Sequence, residues 1–409
     1  MRRDGTDPGP AAEVALWPGS WRPLAGLLAV AGLLLAAWSV AVPIFEAPDE
    51  ISHWQYARYL HDHRRLPVYG PDFVEANSPP LYYALIAAVA FPSDVPPQLA
   101  WHEPSDEPGD EPGAVRRVLP APPRLYENAD GDLGRYGPLR AARLLTAAMS
   151  VVTVVFCALA GAEATGQARI GLLTGGLVAF LPQFAFRGSN ISNDALVTTL
   201  SAVVLYLTVR IVRRGFSWQL GALAAAAIAG AFLAKTNAIF LPVPLALAIL
   251  SERAPWRERV GRLGVLGVGA VLALPWLARN VAMYGDPLAE AEMRAAVGFL
   301  ISEKSLADPF FRDVFFQRLI PSTVGGFGWL TLYLPRWAFL LVYGVAAAAA
   351  FGVARRARRR PERRLLAILV SFPILALGVV VYINLSFDQP QGRYLFPCLL
   401  YTSPSPRDS

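Results

Sequence analysis

Apolar runs about as long as a membrane-crossing helix recur from one end of the chain to the other. A helix needs roughly 20 apolar residues to cross the hydrocarbon core of a bilayer. We predict spans at 23–45, 140–162, 170–186, 195–212, 218–234, 238–250, 263–278, 338–354 and 365–383. Because 54% of the residues are hydrophobic and only 17% are charged, a soluble globular protein is excluded. The predicted fold class is an all-α polytopic membrane protein.

Basic residues predict the orientation of this chain in the membrane. Arg2, Arg3 and Arg22 precede the first span, so the positive-inside tendency makes residues 1–22 a cytoplasmic tail. Alternation from there puts every arginine cluster between spans on the cytoplasmic side, including seven arginines within 355–364. The net charge of +6 therefore reflects topology and does not indicate a nucleic-acid partner. We predict a multi-pass protein of the plasma membrane with a cytoplasmic N-terminus.

The same alternation places the long connections on the outer face. Residues 46–139 and 279–336 become extracytoplasmic loops of a transmembrane domain at 23–401. Within the first loop, 92–123 is rich in Pro, Asp and Glu and is predicted to be a disordered insertion. A further apolar run stops after about two turns, so 402–409 is interpreted as an artefactual tail of a truncated chain.

An acidic motif, Glu46-Ala-Pro-Asp-Glu50, directly follows the first span. Pro48 suits the first turn of a helix, which would bring Asp49, Glu50 and His53 onto one patch at the membrane surface. Such a patch can accept a proton or bind a divalent cation. The acids could equally serve only as favourable charges at a helix N-terminus, and the spacing leaves both interpretations open.

Cations stand at the outer ends of several spans, against the positive-inside tendency. Lys235 is one of two lysines, the other being Lys304, and Arg279 and Arg393 occupy similar boundary positions. A bound anion such as a phosphate would account for them, although Lys235 could also extend to the interface without a ligand. Asp194 heads a span on the same face, where an N-cap is the competing interpretation.

The order of these motifs resembles that of the GT-C class of membrane glycosyltransferases over about residues 40–397. The matching positions are Glu46 to Glu50 with His53 and Tyr56, Pro79 to Tyr83, Asn193 to Leu196, Arg279 with Asn280, Tyr284 to Pro287, and Gln391 to Tyr394. The chain most resembles a bacterial branch of predicted membrane proteins catalogued as a domain of unknown function. That branch is similar to the protein O-mannosyltransferases and to the aminoarabinose transferases of lipid A.

This resemblance implies a GT-C-like bundle of about nine or ten transmembrane helices with a long first extracytoplasmic loop. It also implies inverting transfer of a sugar from a polyprenyl-phosphate donor to a glycan, lipid or protein acceptor of the cell envelope. Asp49 would be the catalytic base or a ligand of a divalent cation such as Mg or Mn, with Glu50 as its catalytic neighbour. The substrate-binding residues would be His53, Tyr56, Asn193, Asp194, Lys235, Arg279, Gln391 and Arg393.

Two further observations limit this interpretation. Ser78 occupies a position where relatives often have histidine before the proline pair, so a role there is open. The alternative function is a transporter or lipid flippase, which would place charged residues deep within its spans. Asp and Glu are nearly absent from the span interiors, which argues against a proton-coupled pump.

Overall fold

The computed structural model describes most of the chain, apart from its first residues, its last residues and several internal segments. The described residues are 17–45, 47–69, 75–89, 137–296, 301–328, 330–356 and 360–402. The predicted insertion at 92–123 lies outside them, as do Glu46 and all but the first residue of the tail at 402–409.

Helices make up 76% of the described residues. In chain order they are α1 (Arg22–Ala41), α2 (Glu50–His63), α3 (Leu81–Ala87), α4 (Gly137–Thr165), α5 (Ala168–Ala179), α6 (Pro182–Arg187), α7 (Asn193–Arg214), α8 (Trp218–Ala234), α9 (Pro242–Leu250), α10 (Trp256–Arg262), α11 (Val265–Tyr284), α12 (Glu290–Ala296), α13 (Phe316–Gly325), α14 (Arg336–Arg356) and α15 (Arg360–Asn384). Short 3-10 helices cover Thr236–Phe240 and Gly392–Thr402, and one π-helical turn covers Phe311–Phe315.

All nine predicted spans coincide with apolar helices of the described residues. Six of them match helices that are long and apolar enough to cross a membrane, namely α1, α4, α7, α10 with α11, α14 and α15. The other three match the shorter apolar helices α5, α8 and the segment Thr236–Leu250. The polytopic character predicted from hydropathy is therefore confirmed.

Several predicted boundaries differ from the observed ones. Helix α1 ends at Ala41 because Val42 is extended ahead of Pro43, and the residue before a proline disfavours helical geometry. Helix α11 continues into the predicted loop at 279–336 and ends at Tyr284, where Gly285 has a φ of 73°. The predicted loop at 46–139 contains α2 and α3. The protein is also not purely helical, since β1 (Gly326–Phe327) pairs antiparallel with β2 (Leu332–Tyr333).

Helices α4 and α7 form the centre of the bundle. The apolar windows of α7 and α4 are 78% and 61% buried, whereas that of α14 is 6% buried. Small residues permit close helix contact, as a Cβ added to Gly171 of α5 would lie 2.5 Å from the Ala158 carbonyl oxygen of α4. The peripheral helices therefore present their apolar sides outward, as expected beside lipid.

Ion pairs join the arginine-rich ends of the helices. Glu163, near the end of α4, lies 3.5 Å from Arg210 and 2.5 Å from Arg214 of α7. Arg213 lies 3.0 Å from Glu362 at the start of α15. The opposite ends of α4 and α7 face the acidic motif. The arginine-rich connections and the connections near the acidic motif therefore lie at opposite ends of the bundle, as the alternation of spans predicts. The orientation of these ends relative to the cell stays a prediction.

We expect Gly392→Ala to destabilise the protein by about 1–3 kcal/mol, because overpacking forces atoms apart. A Cβ at Gly392 would overlap the backbone N and Cα of Thr323, and the Gly392 amide donates to the Ser322 hydroxyl over 2.9 Å. Gly378→Ala is the matched control, since nothing lies within 4 Å of its added Cβ. Thermal unfolding in detergent measures both, and equal midpoints for the two variants would contradict the expectation.

Candidate active site

Asp49 lies in the short connection between α1 and α2 with its backbone in the left-handed region, at φ 65° and ψ 0°. Asp and Asn tolerate this conformation better than other non-glycine residues. Its carboxylate lies 2.7 Å from the Arg393 guanidinium, and 30% of its side chain is exposed. The motif thus presents an accessible carboxylate that is held by one buried arginine.

Asp194, at the start of α7, binds three cations. Its carboxylate lies 2.5 Å from Lys235 Nζ, 3.0 Å from Arg187 and 3.9 Å from Arg393, and its side chain is 4% exposed. The competing interpretation, in which Asp194 caps α7, is wrong, since Ser192 is the N-cap and accepts a hydrogen bond from the Asp194 amide. Asp194 therefore has its carboxylate free to organise the cations.

Arg187, at the end of α6, is a site residue that the sequence analysis did not identify. It donates to the Pro48 carbonyl oxygen over 3.1 Å and to Asp194 over 3.0 Å. It thereby ties the backbone next to Asp49 to the start of α7. The sequence does contain an indication of this role, because Arg187, like Lys235 and Arg393, is a cation at the predicted outer end of a span.

These groups form an ionic cluster that carries excess positive charge. The cations Arg187, Lys235 and Arg393 face two carboxylates, Asp49 and Asp194, which leaves a net charge of +1. Burial opposes ionisation of Asp49, but the charges of Arg393 and Arg187 outweigh it and lower its pKa to about 2. The cluster is therefore suited to an anionic ligand.

Lys235 is the cation of the cluster that keeps the most access, with 20% of its side chain exposed. It follows α8 directly, in an extended conformation between that helix and the following 3-10 turn. Its Nζ also lies 5.1 Å from the centre of the Tyr394 ring. An accessible ammonium and an accessible carboxylate thus border the same ionic cluster.

Glu50 is fully buried, in contrast to Asp49. One carboxylate oxygen accepts from Arg143 Nε over 2.7 Å and from the Ile191 amide over 3.0 Å. The other accepts from Arg143 over 2.6 Å and from the Phe45 amide over 2.9 Å. The predicted catalytic neighbour therefore lies inside the protein and joins α2 to α4, to the connection after α1 and to the turn before α7.

His53 and Tyr56, two of the predicted substrate-binding residues, both contact Tyr83 of α3. His53 Nδ1 lies 2.9 Å from the Tyr83 hydroxyl, and Tyr56 stacks on the Tyr83 ring with centroids 3.8 Å apart. Burial lowers the pKa of His53, so its ring is neutral at pH 7. Asn193 donates to the same Tyr83 hydroxyl over 3.4 Å. These residues form a packed wall that connects α2, α3 and α7.

The structure brings some predicted residues to the cluster and places others beside it. Gln391 lines a small pocket together with Arg187 and Arg393. Arg279 instead donates to the Pro67 carbonyl oxygen over 2.7 Å, and its guanidinium lies 5.9 Å from the Tyr284 ring. None of these contacts joins Arg279 to Asp49 or Asp194.

The described residues do not fit a divalent cation at Asp49. Among them, no three His, Cys, Asp or Glu side chains come together as a set of metal ligands. The charged groups that contact Asp49 and Asp194 are cations, which would repel a metal ion instead of ligating it.

The fold is shared with membrane glycosyltransferases of known structure. The oligosaccharyltransferase of Archaeoglobus fulgidus in its apo form superposes with a TM-score of 0.53 at 13% identity, covering 95% of this chain and 50% of that one. The archaeal oligosaccharyltransferase AglB of the same organism, in complex with an inhibitory peptide and a dolichol-phosphate, gives a TM-score of 0.53 at 12% identity, covering 94% of this chain and 50% of that one. This chain thus spans about half the length of these structures. At such identities the likeness shows the GT-C fold.

A third structure, the protein O-mannosyltransferase Pmt1-Pmt2 complex of S. cerevisiae bound to the sugar donor, aligns with a TM-score of 0.46. It is 14% identical, and the alignment covers 67% of this chain and 36% of that one. Among curated protein sequences, none matches this chain significantly.

The family comparison covers most of the membrane domain. The family described as "Predicted membrane protein (DUF2142)" matches residues 137–402, which include α4 to α15 and both Asp194 and Arg393 of the ionic cluster. This confirms the resemblance that the order of the motifs indicated. The chain belongs to the DUF2142 family of membrane proteins.

Proposed function

We propose that this protein transfers a sugar from a polyprenyl-phosphate donor to an acceptor of the cell envelope, at the end of the bundle that carries the ionic cluster. The observation that carries this proposal is the accessible Asp49 carboxylate, 2.7 Å from Arg393 at the edge of a cluster with excess positive charge. By the alternation of spans, that end faces the outside of the plasma membrane and the N-terminus faces the cytoplasm.

Asp49 would act as the general base. The acceptor hydroxyl attacks the anomeric carbon of the sugar and forms the new glycosidic bond, while its proton passes to the Asp49 carboxylate. The bond between the anomeric carbon and the phosphate oxygen breaks, and polyprenyl phosphate leaves with the bonding electrons. Attack from the face opposite the phosphate gives the product with inverted configuration.

The cations of the cluster would hold the donor phosphate and stabilise the charge that develops on it. Lys235 offers the most accessible ammonium, and the buried Arg187 and Arg393 add positive charge behind it. Charge-assisted hydrogen bonds of this kind are strongest where water is excluded.

Donor binding would also prepare Asp49 for its role. With Arg393 as its partner, Asp49 has a pKa of about 2, which is low for a general base. A donor phosphate competes for the same guanidinium, so part of the pairing with Asp49 is lost when the donor binds. The pKa of Asp49 then rises toward its usual value, and the carboxylate becomes a better proton acceptor.

Glu50 would serve as a positioning residue instead of reacting itself. Its four hydrogen bonds hold the first turn of α2 against the Phe45 amide, Arg143 of α4 and the Ile191 amide. His53, Tyr56 and Asn193 would shape the wall beside the acceptor through their contacts with Tyr83. No step of this mechanism passes through a metal ion.

The direct test reconstitutes the full chain in vesicles with labelled polyprenyl-phosphate sugars and envelope extract as acceptor. Transfer of label together with release of polyprenyl phosphate is the expected result. A sugar nucleotide supplied instead should not support transfer. If no donor releases polyprenyl phosphate but labelled lipid moves between leaflets, the flippase alternative replaces this proposal.

We expect Lys235→Gln to raise the KM for the donor by about tenfold or more, because a charge-assisted hydrogen bond contributes roughly 1.5–3 kcal/mol. Lys304→Gln is the matched control, since Lys304 pairs with Asp388 instead of with Asp49 or Asp194. Initial rates against donor concentration measure the effect. An unchanged KM in Lys235→Gln would remove this lysine from the donor site.

We expect kcat/KM to show no acid limb from Asp49 between about pH 5 and pH 8. The pKa of Asp49 in the free enzyme is lowered to about 2, so its ionised form persists until the pH falls well below 3.8. A pH–rate profile of the wild type tests this. An acid limb near pH 6 that persists in His53→Gln would contradict the assignment of a low pKa to Asp49.

A further inference from the structure

A groove opens between α9, α14 and α15 at the arginine-rich end of the bundle, opposite the ionic cluster. Its volume is about 550 Å³, within the range of ligand pockets. Apart from Arg363 and Ser371, its walls are apolar; they are built from Val243, Leu247, Val353, Leu366, Ala367, Val370, Ile374 and Leu375. Several of these side chains are largely exposed, including Val243, Leu247 and Ile374.

The helices that line the groove are lightly buried, as expected for a surface beside lipid. The apolar windows of α14 and α15 are only 6% and 22% buried within the protein. Along α15 the lining extends from Arg363 to Leu375, which is about 18 Å at the helical rise of 1.5 Å per residue. One leaflet of a hydrocarbon core of about 30 Å is roughly 15 Å thick. The groove therefore matches the depth of one leaflet.

The polar end of the groove is basic. Arg363 lines it at the first turns of α15, and the neighbouring Arg364 donates to the Ser251 hydroxyl over 2.7 Å and to the Ala248 carbonyl oxygen over 3.0 Å. These bonds fix the end of α9 against the start of α15. Arg253 lies close enough to Arg364 for their charges to interact. A cationic mouth above an apolar channel complements a ligand with one anionic head and one apolar chain.

We propose that this groove is a binding site for an anionic glycerophospholipid of the adjacent leaflet, with an acyl chain along α15 and the phosphate group at Arg363. This lipid site is separate from the proposed glycosyl-transfer site. The groove lies at the arginine-rich end of the bundle, and the ionic cluster lies at the opposite end. Its occupant would fasten α14, which has few buried residues, to the rest of the bundle.

The test uses the purified full chain in detergent and native mass spectrometry with two lipids that share oleoyl chains, phosphatidylglycerol and phosphatidylcholine. We expect wild type to retain phosphatidylglycerol preferentially, and Arg363→Gln to reduce that retention about fivefold, the effect of one basic residue near an anionic lipid. Ala367→Trp should reduce retention of both lipids, because it fills the channel without changing charge. Arg257→Gln, which removes an exposed arginine of the same end outside the groove, should leave the preference unchanged.

Three results would overturn the proposal. Equal retention of both lipids by wild type, or equal effects of Arg363→Gln and Arg257→Gln, would mean that diffuse surface charge attracts lipid without a site. A lipid-free dimer of wild type that Ala367→Trp converts to monomers would assign the groove to a second copy of the chain.

Discussion

Asp49→Asn should lower the rate of sugar transfer by about 10²- to 10⁴-fold, the range that a positioned general base contributes. Asparagine is the informative substitution because it accepts the left-handed backbone of Asp49, at φ 65°, as readily as aspartate does. Alanine would add backbone strain to the loss of the carboxylate. The amide cannot take up a proton from the acceptor, so the chemical step is lost while the backbone conformation is kept.

The division between kcat and KM makes this prediction specific. Asp49 competes with the donor phosphate for Arg393. Removing the charge of Asp49 should therefore lower kcat without raising the KM for the donor. Lys235→Gln should have the opposite signature, a raised KM. Asp62→Asn is the matched control, because Asp62 is an exposed acid of α2, the helix that follows Asp49, and forms a surface ion pair with Arg58. Full activity of Asp49→Asn would place the base elsewhere.

Much of the fold follows from sequence because lipid leaves few options for the backbone. Every buried N–H and C=O group must be satisfied within a membrane span, so an apolar run of sufficient length becomes a helix. The nine predicted spans coincide with apolar helices for this reason. The ends were less predictable, since local geometry decides them. Pro43 ends α1 early, and α11 continues beyond its predicted end until Gly285 ends it after Tyr284.

The site could be predicted only in part. Cations at the wrong end of a span indicated Lys235 and Arg393, because an exposed charge there needs an anion. The same signal applied to Arg279, which contacts the Pro67 carbonyl oxygen instead. Which of these side chains converge depends on helix packing, and hydropathy does not specify packing. The contacts of Arg187 with the Pro48 carbonyl oxygen and with Asp194 reveal that Arg187 belongs to the site.

The different environments of Asp49 and Glu50 were equally hidden in the sequence. Adjacent residues at a helix start point in different directions, and the left-handed backbone of Asp49 turns its side chain away from Glu50. Arg143 lies 93 positions along the chain from Glu50, so no local pattern could pair them. Because Glu50 pairs with the buried Arg143, it supports the structure, whereas Asp49 stays accessible.

Glu50→Gln should destabilise the protein by about 3–5 kcal/mol, the cost of leaving one member of a buried ion pair without its partner. Arg143 is 1% exposed and also donates to the carbonyl oxygens of Ser39, Val42 and Pro43, at 2.7–3.0 Å. Glutamine removes the negative charge and places an N–H donor among other donors. The junction of α1, α2 and α4 would loosen, and Asp49 would move with it.

A second substitution distinguishes this explanation from a general loss of packing. Arg143→Met removes the buried charge, so the double variant Glu50→Gln with Arg143→Met should be more stable than Glu50→Gln alone. The surface pair of the same helix provides the control, since Arg58→Gln with Asp62→Asn should cost less than about 1 kcal/mol. Unfolding by SDS in mixed micelles measures all of them. Glu50→Gln should lose both stability and sugar transfer, whereas Asp49→Asn should lose sugar transfer alone. A Glu50→Gln protein of wild-type stability that transfers no sugar would make Glu50 a catalytic residue.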